Sequence, residues 1–185
     1  YKIAKYCDEL VPDGKGGFEP RFRANIYLSS ATDVYKVLKD MATIFRGLLY
    51  WMDSKLTPIV DQKNTPIYTF NKTNVIDGEF TTSFTGSKNR INQVVVSWNN
   101  PANNFDLEPL FVEDRSNIAK TGKVIRDDAV AFGCTSRGQA IRYGRWKLYT
   151  SINQTEVITF KSALNSAFLA PGDVVNIQDN SDYEL

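Results

Sequence analysis

A helix that runs straight into a hairpin is the strongest constraint this chain places on its fold. From Ser29 to Gln62 it reads SSATDVYKVLKDMATIFRGLLYWMDSKLTPIVDQ. Ser30, with Asp33 three residues on, fits a helix N-terminus with a capping-box acid. Val34, Val37, Leu38, Met41, Ile44 and Phe45 then recur at helical spacing and make one apolar stripe, with Lys36, Lys39 and Asp40 on the other side. This predicts a helix over 32–46. Gly47 falls where a left-handed C-terminal residue belongs. Leu48 to Met52, a polar Asp53-Ser54-Lys55 turn and Leu56 to Val60 follow as a hairpin of two short apolar runs. The helix face of Val34, Leu38, Met41 and Phe45 is expected to pack on a sheet containing that hairpin.

The 185 residues suffice for one large domain or two small ones, and a 42% apolar share supports a real core. With 22 basic and 21 acidic residues the net charge is +1, which gives no case for a nucleic-acid or acidic-membrane partner. No apolar run approaches the roughly 20 residues of a membrane helix. A start at Tyr1 and a stop at Leu185 lead to the expectation of a piece cut from a longer, or processed, protein. Cys7 and Cys134 read as two free thiols, although the sequence leaves a disulfide open.

Along the chain, residues 2–10 read as a helix tail with Ile3, Tyr6, Cys7 and Leu10 on one face, and 11–17 as a breaker-rich turn. Arg21 to Leu28 alternates like a half-buried strand. Pro66 to Phe70 reads as a short edge piece and Asn71 to Gly78 as a loop. Glu79 to Thr85 alternates Phe80 and Phe84 with polar residues. Ile91 to Trp98 is the most β-prone run, followed by a loop at 99–104. Leu107 to Val112 is extended, 114–122 a short helix capped by Asp114, and Lys123 to Ala131 a strand. A second main helix covers 135–152, with Ser136 and Gln139 as a capping box and Ala140, Ile141, Gly144 and Leu148 on one face. Gly144 is expected on the buried side, since a mid-helix glycine needs a packing reason. Strands at 155–161 and 174–177 close the chain. The fold class is α+β, with mostly antiparallel sheets and two main helices. The expected division is an N-terminal helical segment and linker over 1–20, a helix-hairpin subdomain over 21–78, and a β-rich, partly barrel-like subdomain with one helix over 79–185.

Few residues announce chemistry. Histidine is absent, which removes the commonest general base and the commonest metal ligand. Two distant cysteines cannot make a structural zinc site alone. No GxxxxGK[ST], GxGxxG or G-x-S-x-G pattern occurs, and Gly14-Lys15-Gly16-Gly17 reads as a turn. Asp127 and Asp128 point to opposite faces of a strand and cannot share a site. Asp53 and Asp61 could face each other across the hairpin, with no cleft announced for them. Arg137, Arg142, Arg145 and Lys147 lie beside Tyr143, Trp146 and Tyr149. They could form an acidic-partner surface, but with near-zero net charge a solvated face whose stems cover the rings is favoured. Tyr50 and Trp51 could stack on a sugar, yet neighbours in a strand point opposite ways. No catalytic, cofactor-binding or metal residue is assigned, and no cofactor is expected.

The order of segments carries a resemblance. FRANIYLSS leads into ATDVYKVLKDMATIFRG and the hairpin LLYWMDSKLTPIVD. Asn74-Val75-Ile76-Asp77-Gly78, NRINQVVVSWNNP, GCTSRGQAIRYGRWKLYT and the closing PGDVVNIQD follow. Over nearly the whole chain this resembles the tail-tip host-specificity proteins J of lambda-like siphophages, also called tip attachment proteins or central tail hubs, in their hub portion. The resemblance implies a structural, non-enzymatic module that helps close the tail tube and carry the receptor-binding fibre. It implies self-association as a trimer and contacts with other tail-tip and distal tail proteins. It implies a place in the virion tail tip, after synthesis in the host cytoplasm. Apolar surface is then expected near 91–98 and 174–177. The alternatives are a cell-wall hydrolase, or a carbohydrate-binding module using Tyr50, Trp51 or Trp98.

Overall fold

The computed structural model describes residues 2–28, 33–52, 54–86 and 90–179. Ser30 and Thr32, expected at the start of the first main helix, lie outside the described residues, as does Asp53. The first of two compact units comprises Tyr1–Val60 and Gly86–Thr155, the second Asp61–Thr85 and Glu156–Leu185. In the first, helix α1 (Lys2–Asp8) precedes strands β1 (Leu10–Pro12) and β2 (Phe18–Pro20), helix α2 (Val34–Ile44), and strands β3 (Gly47–Met52) and β4 (Lys55–Val60). Strands β5 (Tyr68–Asn71) and β6 (Val75–Phe84) open the second unit. The chain returns to the first with β7 (Gln93–Asn100), β8 (Asp106–Glu113), α3 (Arg115–Thr121), β9 (Arg126–Val130) and α4 (Arg137–Asn153). It ends in the second with β10 (Glu156–Ser162) and β11 (Val175–Gln178).

The fold is α+β, as the patterning predicts. The pairs β1–β2, β3–β4, β6–β10 and β7–β8 are antiparallel, while β7–β9 and β5–β11 are parallel. The sheets are small, one of three strands and four of two, with no closed barrel among the described residues. The two units interleave along the chain, unlike the three consecutive segments expected from composition. Strand pairing is the cause, since β10 returns to β6 and β11 returns to β5.

The first unit's core is the β8-β7-β9 sheet under α4. Val94, Val96 and Trp98 of β7 alternate onto one face and meet Val112, Ala129, Ala140 and Leu148. Apolar surface was expected to remain near 91–98, but Val94 and Val96 are fully buried. β7 is the central strand, flanked on both sides and covered by α4, so its alternation feeds a core. Near 174–177, β11 alternates half-buried and exposed residues. Gly144 lies on the buried side of α4, facing Val112 and Val96.

Local readings fare unevenly. α3 is capped by the Asp114 side chain, which accepts from Asn117 N, and ends on left-handed Gly122. α2 is capped by Asp33, whose side chain accepts from Tyr35 N. The left-handed residue after α2 is Arg46, with φ 58°. Gly47 is required for another reason. A Cβ there would lie 2.5 Å from the Ile59 carbonyl oxygen and closer still to the Phe45 ring. Arg21 to Leu28 forms no strand. It runs as an irregular segment whose backbone bonds to side chains and loops. Leu10 leaves the helical face to start β1, and the loop expected over 71–78 gives way at Val75 to β6.

In the second unit, Phe160 of β10 sits between Phe70 and Phe80, with ring centroids 4.5 and 5.3 Å away. Tyr68 meets Phe70 and Phe168 edge-on. This aromatic run gives two small two-stranded sheets a shared apolar filling.

Both cysteines are free. Cys134 is buried, and its thiol donates to the Ser136 carbonyl. Desolvation pushes its pKa up from 9.0 to about 11. A folded-state pKa above the unfolded one leaves stability intact below pH 9.0 and removes it as pH rises through about 11. At neutral pH, a disulfide exchange reagent should therefore modify half-buried Cys7 first and Cys134 only on unfolding. Equal rates at the two thiols would show that Cys134 is not protected.

Candidate functional site

The N-terminal segment is tied to the start of α4 by polar contacts more than 100 residues apart in sequence. Glu19 accepts from Arg142 Nη1 at 2.7 Å and from the Ser136 hydroxyl. Both ends of that ion pair are mostly shielded. Arg142 also donates to the carbonyls of Pro12 and Arg21, at 3.2 and 3.1 Å. Gln139, buried at 5% exposure, accepts from Arg23 N at 3.0 Å and donates to Arg23 O at 3.1 Å. Ser136 caps α4 by accepting from Gln139 N, but the Gln139 side chain turns to Arg23 and does not close the expected box. Asn25 N donates to Gly133 O at 2.9 Å, and Asn25 Nδ2 to the Thr135 hydroxyl.

These contacts settle the basic strip on α4. Arg142 is committed to Glu19, and Lys147 pairs with Asp127 at 2.7 Å. Asp128 pairs with Arg126, so the adjacent aspartates do face apart. Two of the strip's four charges, Arg142 and Lys147, are thus neutralised within the fold.

The anchored segment carries Ile26 and Tyr27 to the rim of an open cleft of about 640 Å³. Phe105, Leu107, Val130 and Phe132 line it with them, together with Asn25, Asn99 and Thr135. No charged side chain among the described residues lines it. Its far wall is a tight connection from β7 to β8. Asn104 and Phe105 are consecutive non-glycine residues at φ 48° and 62°. Phe105 N donates to Asn100 O, and Asn99 Nδ2 donates to Phe105 O, both at 2.9 Å. The left-handed region costs a non-glycine residue of order 1–3 kcal/mol. Here the hydrogen bonds hold the strained turn, and the Phe105 ring stays 57% exposed.

A second depression, of about 830 Å³, lies between α1, α2 and the β3–β4 hairpin. Leu38, Met41, Ala42, Phe45, Leu49, Leu56 and Pro58 line it with Ile3 and Lys2. The helix stripe therefore does face the hairpin, but it is not sealed. Val34 is 70% exposed and Met41 40%. A two-stranded hairpin is too narrow to cover an 11-residue amphipathic helix.

Other readings find their places. Gly14 to Gly17 is a turn. The Asp13 carboxylate accepts from Lys15 N and Gly17 N, and those bonds lower its pKa. Trp98 is core at 5% exposure and cannot stack on a sugar. Tyr50 is half-buried, while Trp51 is exposed. No group of three or more acidic, cysteine or histidine side chains converges among the described residues. No helix there is long and apolar enough to cross a membrane. Sequence reasoning passed over Tyr27 and Phe105. Aromatic residues in loop-like stretches show no periodicity, and the only available signal was two bulky rings beside Asn-rich turns.

Three similarities accompany this geometry. A family model described as "Putative phage tail protein" matches residues 33–184. The chain is 36% identical over 182 residues to the tip attachment protein J of Escherichia phage SECphi4, and 32% identical over 185 residues to that of Escherichia phage SECphi27. Those alignments take in 98% and 97% of this chain but only 16% and 15% of the relatives, so it spans about a sixth of their length. A solved structure, the 43 kDa tail protein of prophage MuSo2 from Shewanella oneidensis, superposes with a TM-score of 0.47 at 15% identity. That superposition covers 83% of this chain and 45% of the other.

Proposed function

We propose, from the premise that this chain belongs to the phage tail protein family, that it is a structural hub module of a bacteriophage or prophage tail tip. In that role it helps close the tail tube and carry the receptor-binding fibre. Its partners are copies of itself in a trimer, and neighbouring tail-tip and distal tail proteins. The observation that carries the reading is the similarity to two tip attachment proteins J along almost the whole chain. The side-chain chemistry is consistent with a scaffold. The buried polar groups of the first unit hold strands, helix caps and the N-terminal segment.

The test is immunogold labelling of virions with antibodies raised against this chain. Label at the tail tip is the expected result, and label elsewhere or absent from virions would overturn the reading. The isolated chain is expected to be monomeric at micromolar concentration by light scattering. Contacts spread over several modules of a longer protein leave each patch below the roughly 1,000 Å² of a stable interface, and covalent linkage then supplies high effective concentration. A stable trimer of the isolated chain would place the main assembly contact within it.

A further inference from the structure

We propose that the cleft between the anchored Asn25–Tyr27 segment and the β7–β8 turn binds a neutral glycan. The proposal does not depend on the hub reading, because the cleft lies wholly within the first unit and is argued from its own chemistry.

Four large apolar side chains at the cleft stay open to solvent. Tyr27 is 90% exposed, Phe105 57%, Leu107 61% and Val130 62%. Burial would have been the default for such a set, and a converging exposed patch marks a binding surface. The volume, about 640 Å³, falls within the range of roughly 300–1,000 Å³ typical of small-ligand sites. The lining decides the class of ligand. With no charged side chain there among the described residues, the cleft offers little to a phosphate, a carboxylate or a basic peptide. It offers flat aromatic faces beside two carboxamides and a hydroxyl. A sugar ring presents an apolar C–H face and a rim of hydroxyls, so it uses both at once. Asn25 and Asn99 each use Nδ2 in one hydrogen bond to the protein. A primary amide has a second N–H and a carbonyl oxygen, which is the donor and acceptor set a pair of vicinal hydroxyls needs.

The backbone adds a second, independent observation. The residue at left-handed position 105 is a phenylalanine that stays 57% exposed, where glycine would carry no strain. An exposed ring kept at that cost points to a role outside folding. The bonds from Asn99 and to Asn100 fix the turn and so hold the ring beside the carboxamide.

The test uses the whole 185-residue chain. Saturation-transfer difference NMR is recorded with three neutral oligosaccharides as probes: maltohexaose, cellohexaose and chitohexaose. At least one is expected to show transfer to its ring C–H protons, and Tyr27→Ala is expected to weaken that binding at least tenfold. Phe105→Gly is the decisive variant. It removes the ring and relieves the backbone strain, so thermal stability should hold or rise while glycan binding falls at least fivefold. No transfer to any of the probes at 10 millimolar ligand (on the order of the weakest affinities worth assigning) would overturn the proposal. Binding that survives both substitutions would do the same. So would a shift to smaller species in light scattering caused by Tyr27→Ala without glycan binding, since that would make the patch a contact between copies of the chain.

Discussion

Replacing Asn92 by alanine should destabilise the first unit by about 2–4 kcal/mol. Asn92 is fully buried and stands just before β7. Its Oδ1 accepts from Ile125 N at 2.8 Å. Its Nδ2 donates to Lys123 O at 2.8 Å and to Asn117 Oδ1 at 3.3 Å. Its backbone N–H donates to Ile125 O, and its carbonyl accepts from Asp114 N. One side chain thus ties together the start of β7, the helix α3 and the entry to β9. That tie supports the parallel β7–β9 pairing, which a tight turn cannot make by itself. Lys123 O keeps a bond from the Thr121 hydroxyl in the variant, but Ile125 N loses its partner beside the fully buried position 92. An unsatisfied buried donor is the costly half of a lost hydrogen bond. Urea unfolding followed by tryptophan fluorescence should show a lower midpoint at unchanged slope. A loss below about 0.5 kcal/mol would mean that water reaches Ile125 and that the tie is not structural.

Enlarging Gly144 is expected to act at the other side of the same core. A Cβ there would lie 2.7 Å from Val112 Cγ2, 3.0 Å from Val112 Cβ and 3.0 Å from Val96 Cγ2. Both neighbours are β-branched and stiff, and both sit in a sheet that cannot retreat. Alanine gains roughly 1 kcal/mol of helix propensity over glycine. Overpacking costs about 1–3 kcal/mol, so Gly144→Ala should lose about 1 kcal/mol net. Gly144→Leu cannot be accommodated and should lose more than about 3 kcal/mol. The sign should depend on Val112. In a Val112→Ala background the space opens, and Gly144→Ala should then stabilise relative to that background, a coupling read directly from a double-mutant cycle. If Gly144→Ala stabilises the unaltered protein, α4 does not approach the sheet as closely as the geometry requires.

Some of this molecule is decided by neighbours along the chain. The cap and end of α3, the Ser136 start of α4, the β3–β4 hairpin and the burial of Gly144 rest on interactions within a few residues or on a single periodicity. Asp127 and Asp128 diverge because alternation is a property of any strand. The order of segments over the whole length was also legible, and the similarity to tip attachment proteins J bears it out. Tertiary structure decided the rest. Val94 and Val96 look the same in sequence whether β7 is an edge or a centre, and only its two partners and α4 make it the core. Arg142 reads as a surface charge until Glu19, 123 residues away, neutralises it. The two units interleave because β10 and β11 pair with strands about 80 and 100 residues earlier, a choice made by packing and not by local propensity. Gly47 is required by the Ile59 carbonyl across the hairpin, and left-handed strain falls on Arg46 beside it. The cleft is of the same kind. Asn25 and Tyr27 come to Asn99 and Phe105 only because Gly133, Thr135 and Gln139 hold the N-terminal segment in place, and contacts of that span leave no periodic trace in a sequence.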